Sequence, residues 1–164
     1  MSDNKNIFSF SIDSTPILEK LKEMDPYGLL RFIKAQESDY QTALKEIKNG
    51  HKESHWMWYI FPQLKGLGNS GTANYYGISN LEEAKAYYNN YLLNSNLLEI
   101  SNALLELDND NIEEIIGYPD NLKLQSCMTL FEIVDDNEQV FKKILKKYYN
   151  DKRDQKTIDM LKDN

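Results

Sequence analysis

Between Asp25 and Gly50 the apolar residues Leu29, Phe32, Ile33, Tyr40, Ala43, Leu44 and Ile47 recur with helical spacing. Successive residues of an α-helix turn by about 100°, so these positions fall on one face. Asp25 is a capping residue, Pro26 suits a first turn, and Asn49-Gly50 ends the run. A stripe of this length commits the chain to a helical core.

Start and stop signals divide the rest into further helices. Asp13-Ser14-Thr15-Pro16 reads as a helix start. Ser70 caps a short helix ending at Gly77, and Asn80 with Glu83 makes a capping-box-like start for Leu81 to Tyr91. A helix over Asn94 to Leu107 follows, then a short turn bracketed by Asn111 and Gly117. Asp120 caps a helix to Val134, Asn137 caps another to Tyr149, and a last one covers Asp154 to Lys162. Only Ile7 to Ile12 alternates apolar and polar in the manner of a strand. The expected fold is mainly α: a single compact multihelical domain of about seven to nine helices. It spans residues 16–164, with residues 1–15 as an N-terminal arm and a short N-terminal strand as the one β candidate.

The chain has 164 residues, 41% apolar and 27% charged, which is globular rather than disordered. A net charge of −7 argues against general binding to nucleic acid, which depends on neutralising phosphates. No apolar run approaches the roughly 20 residues of a membrane span, and the N-terminus lacks a secretory pattern. A cytoplasmic protein without a membrane partner is expected. One cysteine, Cys127, and two histidines do not make a structural zinc site, so no metal and no cofactor is expected. Cys127 reads as a buried structural thiol. Charge is uneven: Glu106 to Asp120 holds six acidic residues and no basic one, while Lys142 to Asp163 holds eight basic against four acidic.

Two helices carry polar residues on apolar faces. Gln36 lies in the middle of the Asp25–Gly50 stripe. An unsatisfied buried amide costs about 1–3 kcal/mol, so it must find partners. A core glutamine bonded to loop backbone and a ligand-contacting amide both fit. On the Asp120–Val134 helix, Asn121, Gln125, Thr129 and Glu132 mark a solvent face. Lys123 and Ser126 fall opposite, among Cys127, Leu130, Ile133 and Val134. A buried ammonium is costly unless paired. Lys123 is either a snorkelling lysine near a helix end or a cation placed for an anion such as phosphate.

The densest cluster is Ser54-His55-Trp56-Met57-Trp58-Tyr59-Ile60-Phe61-Pro62-Gln63. Such aromatic runs are usually core. Here His55 stands near its head, and a small-residue loop with Gly66, Gly68 and Ser70 follows. Aromatic faces stack flat rings, and backbone N–H groups of such loops cradle phosphate. The Walker lysine spacing is missing.

The segments Asp25-Pro26-Tyr27, Arg31-Phe32, Ala35-Gln36, the run from Ser54 to Gly68, Tyr76-Gly77-Ile78 and Leu122 to Phe131 resemble the bacterial and protist family called domain of unknown function eighteen-ten. The resemblance runs from Asp25 to the C-terminus and implies a small multihelical domain; the family carries no settled activity. A second resemblance, to NADAR proteins, rests on Phe32-x-x-Ala35-Gln36 and a late helix with Lys123 and Met128-x-Leu130-Phe131. It implies a link to NAD and ADP-ribose derivatives, with cleavage of an ADP-ribose N-glycosidic bond in some members.

Together these readings predict a pocket for a small NAD-derived nucleotide of the ADP-ribose or cyclic ADP-ribose type, either sequestered or cleaved. Gln36 and His55 orient the ribose, Trp56 or Trp58 stacks the base, Lys123 and the Gly66–Gly68–Ser70 loop hold phosphate, and Ser126 is a further ligand-binding residue. Hydrolysis needs a carboxylate, for which Glu37 and Glu53 are nearest in sequence. The alternative is a non-catalytic helical interaction module, its acidic stretch and basic tail serving as contact surfaces. Self-association into a homo-oligomer is compatible with either.

Overall fold

The computed structural model describes residues 13–163. Among them the chain forms ten helices: α1 (Thr15–Met24), α2 (Leu30–Lys48), α3 (Met57–Ile60), α4 (Gly71–Tyr76), α5 (Leu81–Asn89), α6 (Tyr91–Leu105), α7 (Ile112–Ile116), α8 (Asp120–Val134), α9 (Gln139–Tyr149) and α10 (Gln155–Lys162). The helix beyond expectation is α3, one turn inside the aromatic run and too short for periodicity to register. The described residues contain no strand, only a single parallel bridge between Leu64 and Ile78. The strand candidate Ile7 to Ile12 lies outside them.

Several boundaries move for local reasons. Helix α2 begins at Leu30, because Gly28 takes φ +66° and turns the chain first. Asp25 still serves that end: its carboxylate accepts hydrogen bonds from the N–H groups of Leu29 (2.7 Å) and Leu30 (3.0 Å). Asn90 caps α6, and Glu138 rather than Asn137 caps α9. Asp120 stands in the first turn of α8 instead of capping it. Ser70, Asn80 and Asn111 cap α4, α5 and α7 as expected.

The stripe on α2 packs against α3 and α6, while α8 packs against α5, α7, α9 and α10. Phe32, Trp56, Phe61, Tyr87, Phe131 and Phe141 are fully buried. Phe131 of α8 lies between α5 and α9, with ring centroids 5.4 Å from Tyr87 and 6.0 Å from Phe141. Such pairs add about 0.5–1.5 kcal/mol each beyond the area they bury.

One face was misassigned. Thr129, expected to face solvent, is fully buried. Its Oγ1 donates to the Gln125 carbonyl (2.8 Å) and accepts from the Asp154 N–H (2.9 Å). Gln125 donates to the Lys152 carbonyl, and Glu132 pairs with Arg153. The polar face of α8 is therefore the seat of the C-terminal segment. A polar face that meets another polar surface reads the same in sequence as one that meets water. By contrast α1 contributes no buried residue, and its Ile17, Leu18, Leu21 and Met24 are exposed.

Candidate functional site

The turn after α9 fixes one wall of the site. Asn150 and Asp151 take positive φ and end the helix. Arg153 then forks onto Glu132, with Nε and Nη2 each 2.9 Å from a carboxylate oxygen. Two-pronged pairs of this kind set orientation as well as attraction. Asp154 follows: its Oδ2 caps α10 through Thr157 and accepts from Ser126 Oγ (2.8 Å). The first turn of α10, with Lys156, is thereby bolted beside α8.

The loop after the aromatic run makes the opposite wall. It is pinned by the Ile78 N–H on the Gln63 carbonyl (2.9 Å) and the Lys65 N–H on the Ile78 carbonyl (2.8 Å). Gly68 approaches α4 so closely that a Cβ there would lie 2.7 Å from the Ala73 Cβ. Between the walls lies a cleft of about 390 Å³, onto which Gln63, Gly68, Lys123, Ser126, Asp154 and Lys156 open. Neither the Gln63 amide nor the Lys156 ammonium has a partner among the described residues.

Behind this cleft two lysines share one carboxylate. The Lys123 ammonium lies 3.3 Å from Asp120 Oδ1 and 4.8 Å above the Trp58 ring. The Lys52 ammonium lies 2.9 Å from Asp120 Oδ2 and 5.0 Å from the Trp56 ring, and donates to the Ser54 carbonyl (2.6 Å). The Lys52 side chain is 7% exposed and that of Lys123 is 21%. A cation over an indole face is attracted by the ring quadrupole, more so when water is excluded. Lys52 is thus a sealed clamp, whereas Lys123 opens toward the cleft.

The structure brings together only some of the expected residues. Lys123, Ser126 and Gly68 line one cleft, and Trp58 backs Lys123. The expectation that Trp56 stacks a base is corrected. It is 1% exposed, with its Nε1 donating to Glu46 (3.0 Å) and Lys52 over its ring. Gln36 is likewise a core amide. Its Nε2 donates to the Tyr59 carbonyl (2.8 Å) and the Tyr87 hydroxyl (3.0 Å), and its Oε1 accepts from Asn96 (2.9 Å). His55 is exposed and does not line the cleft. Ser70 caps α4, and Gly66 faces Met160. The proposed convergence of Gln36, His55 and Lys123 on one cavity does not occur.

Several residues of consequence escaped the sequence reading. Glu46 is the largest omission. Its buried carboxylate accepts from the N–H groups of Glu53 (2.7 Å) and Ser54 (2.8 Å), from Ser54 Oγ (2.7 Å) and from Trp56 Nε1. Burial pushes its pKa up, but these donors outweigh burial and hold it at about 2. Glu46 thereby shapes the entry to the aromatic run. Its position three residues after Ala43, beside the α2 stripe, was the available signal. Asp120 passed as a helix cap, Gln63 as the tail of a motif, and Lys156 as part of a basic tail.

Other groups are accounted for by structure alone. Tyr59 donates its hydroxyl to Asp39; burial first, then this carboxylate, raises its pKa. Arg31 joins the start of α2 to α4 and α5 through the carbonyls of Tyr75 and Gly77 and through Glu83. Cys127 is fully buried, and burial pushes its thiol well up, which removes it as a nucleophile. Among the described residues no group of three or more His, Cys, Asp or Glu side chains is placed to hold a metal, and no helix is long and apolar enough to cross a membrane.

Comparison with known proteins places this geometry in a family. The family described as protein of unknown function (DUF1810) matches residues 26–161. The crystal structure of the conserved hypothetical protein Rv1873 from Mycobacterium tuberculosis is similar at 45% identity and a TM-score of 0.82. The likeness covers 84% of this chain and 98% of that one. No curated protein matches. The resemblance to NADAR proteins finds no support. It joined Gln36 to Lys123, and those two side chains belong to different surroundings.

Proposed function

This chain belongs to the DUF1810 family, and we propose that it binds a small phosphate-bearing ligand, of the NAD-derived nucleotide class, in the Lys123 cleft. The observation that carries the reading is Lys123 itself: a cation braced on Trp58 that opens into a cleft across which Lys156 has no partner among the described residues. The volume, about 390 Å³, is in the range of small-molecule sites. Leu67, Pro119 and Leu122 offer an apolar seat, and Gln63 offers a free amide to a base or ribose.

Sequestration suits this site better than turnover. Glycosidic cleavage needs a carboxylate free to steady cationic charge or guide water. Asp154 is occupied by Ser126 and Thr157, and Asp120 by two lysines. Glu37 is exposed on α2, and Glu53 lines a different depression with Glu46 and His51. The test is titration calorimetry with ADP-ribose, cyclic ADP-ribose and NAD, followed by chromatography of the ligand. The expected result is heat with at least one ligand, recovered intact, and none with Lys123→Ala. Absence of heat from all three with folded protein overturns the reading.

A second reading, a helical module that pairs with its own copy, has one observation in its favour. The exposed apolar face of α1 carries a balanced set of flanking charges, Glu19, Lys20, Lys22 and Glu23, which suits self-association. It predicts a dimer in sedimentation that Leu21→Glu dissociates; a monomer at high concentration rules it out.

A further inference from the structure

Resting on the ligand reading above, we infer that Gln63 reads the base of the nucleotide, and that the cleft takes a ring carrying an amino group beside a ring nitrogen, as adenine does. The loop wall is then the base wall, while α8 and α10 hold the phosphates. Gln63 is half-buried and opens onto the cleft, and its amide has no partner among the described residues. Its backbone is fixed, because the Gln63 carbonyl accepts from the Ile78 N–H at 2.9 Å beside the bridge between Leu64 and Ile78. The amide also has a defined neighbour. A Cβ on Gly68 would lie 3.6 Å from Gln63 Nε2, so the amide nitrogen lies against bare glycine backbone.

A carboxamide offers a donor and an acceptor side by side. Its complement is an edge that presents an acceptor beside a donor, and glutamine pairs with adenine in this way, through a ring nitrogen and the 6-amino group. The apolar lining suits such a ring. Leu67 belongs to the same loop as Gln63 and packs on the core, while Pro119 and Leu122 meet the cleft from the start of α8. Leu122 is 48% exposed, an apolar side chain that a bound ring would cover. The two ammonium groups of the cleft come from the helices, Lys123 from α8 and Lys156 from α10, which leaves the loop free for the base. The other amide of the lining, Gln125, has its Nε2 committed to the Lys152 carbonyl. The Ser126 hydroxyl is spent on Asp154 and the Leu122 carbonyl. Gln63 is therefore the lining amide whose donor and acceptor both remain for a ligand.

ADP-ribose and its counterpart lacking only the 6-amino group test this directly, since their phosphates and riboses are identical and the smaller ring adds no clash. In titration calorimetry wild type should prefer ADP-ribose by about tenfold, the size of one hydrogen bond left unmade. Gln63→Met keeps the length of the side chain and removes the amide. It should fold as wild type does, bind ADP-ribose about tenfold more weakly and show no preference between the two ligands. Gln63→Leu should behave alike. Equal affinity of wild type for both ligands overturns the inference while leaving the ligand reading intact. A preference that survives in the folded variants does the same. So does a folded variant that binds neither ligand, because losing one edge contact leaves Lys123 and Lys156 in place. No heat from either ligand with folded wild type overturns the inference, and none from cyclic ADP-ribose or NAD in addition overturns the ligand reading too.

Discussion

At the residue scale, the structure turns on carboxylates that organise their neighbours from buried positions. Glu46 gathers four donors from the segment Glu53 to Trp56. Its folded pKa of about 2 lies below the ordinary 4.5. The sign follows: Glu46 stabilises the fold fully above about pH 4.5, and that contribution is lost as pH falls toward 2. Glu46→Gln places an NH2 group among donors, so a loss of about 2–3 kcal/mol is expected in urea denaturation at neutral pH. The same variant should show a flatter acid limb than wild type; parallel limbs would contradict the assignment. Gln36→Leu, which leaves Asn96 and two other groups without their partner, should lower stability by about 1–3 kcal/mol while leaving ligand titration unchanged. Lys123 was legible in the sequence because a cation among apolar residues breaks a pattern. Its surroundings were not: Lys52 meets Asp120 across a separation that no local periodicity encodes.

At the element scale, caps and stripes carried most of the information. Ser70, Asn80 and Asn111 start helices where their side chains accept the expected N–H bonds. Phe32, Tyr40, Ala43, Leu44 and Ile47 of the expected α2 stripe are buried, and the unexpected Glu46 is buried beside them. What failed was the polar face of α8, which proved to be the bed of α10 rather than a surface. That failure matters for function, because α10 supplies Lys156 to the cleft. The Arg153–Glu132 fork is one of the ties holding this helix beside α8, with the Ser126 and Thr129 bonds to Asp154. Arg153→Ala should therefore speed hydrogen exchange of the α10 amides while those of α2 and α6 stay protected, and should weaken ligand binding several-fold. Uniform exchange across all helices would mean that α10 is held by other contacts.

At the scale of the whole molecule, α1 stands outside the buried core. The family match begins at residue 26, after α1, and α1 puts nothing into the core. Ile17→Ser with Leu18→Ser should change the melting temperature by no more than about 2 °C, since both side chains are exposed on α1. A larger drop would show that α1 seals the core. The sequence was sufficient for a mainly helical domain, because each helix declares its own period and caps. It was insufficient for the site, because a cleft is made by three segments meeting, and two of the expected contributors, Gln36 and Trp56, turned inward to satisfy core partners. The central claim is that the Lys123 cleft is where a phosphate-bearing ligand sits. Acetylation of lysines, quantified residue by residue with and without saturating ADP-ribose, tests it most directly. Protection confined to Lys123 and Lys156, with exposed Lys85 labelling unchanged, is the predicted result; equal labelling of Lys123 with and without ligand would contradict it.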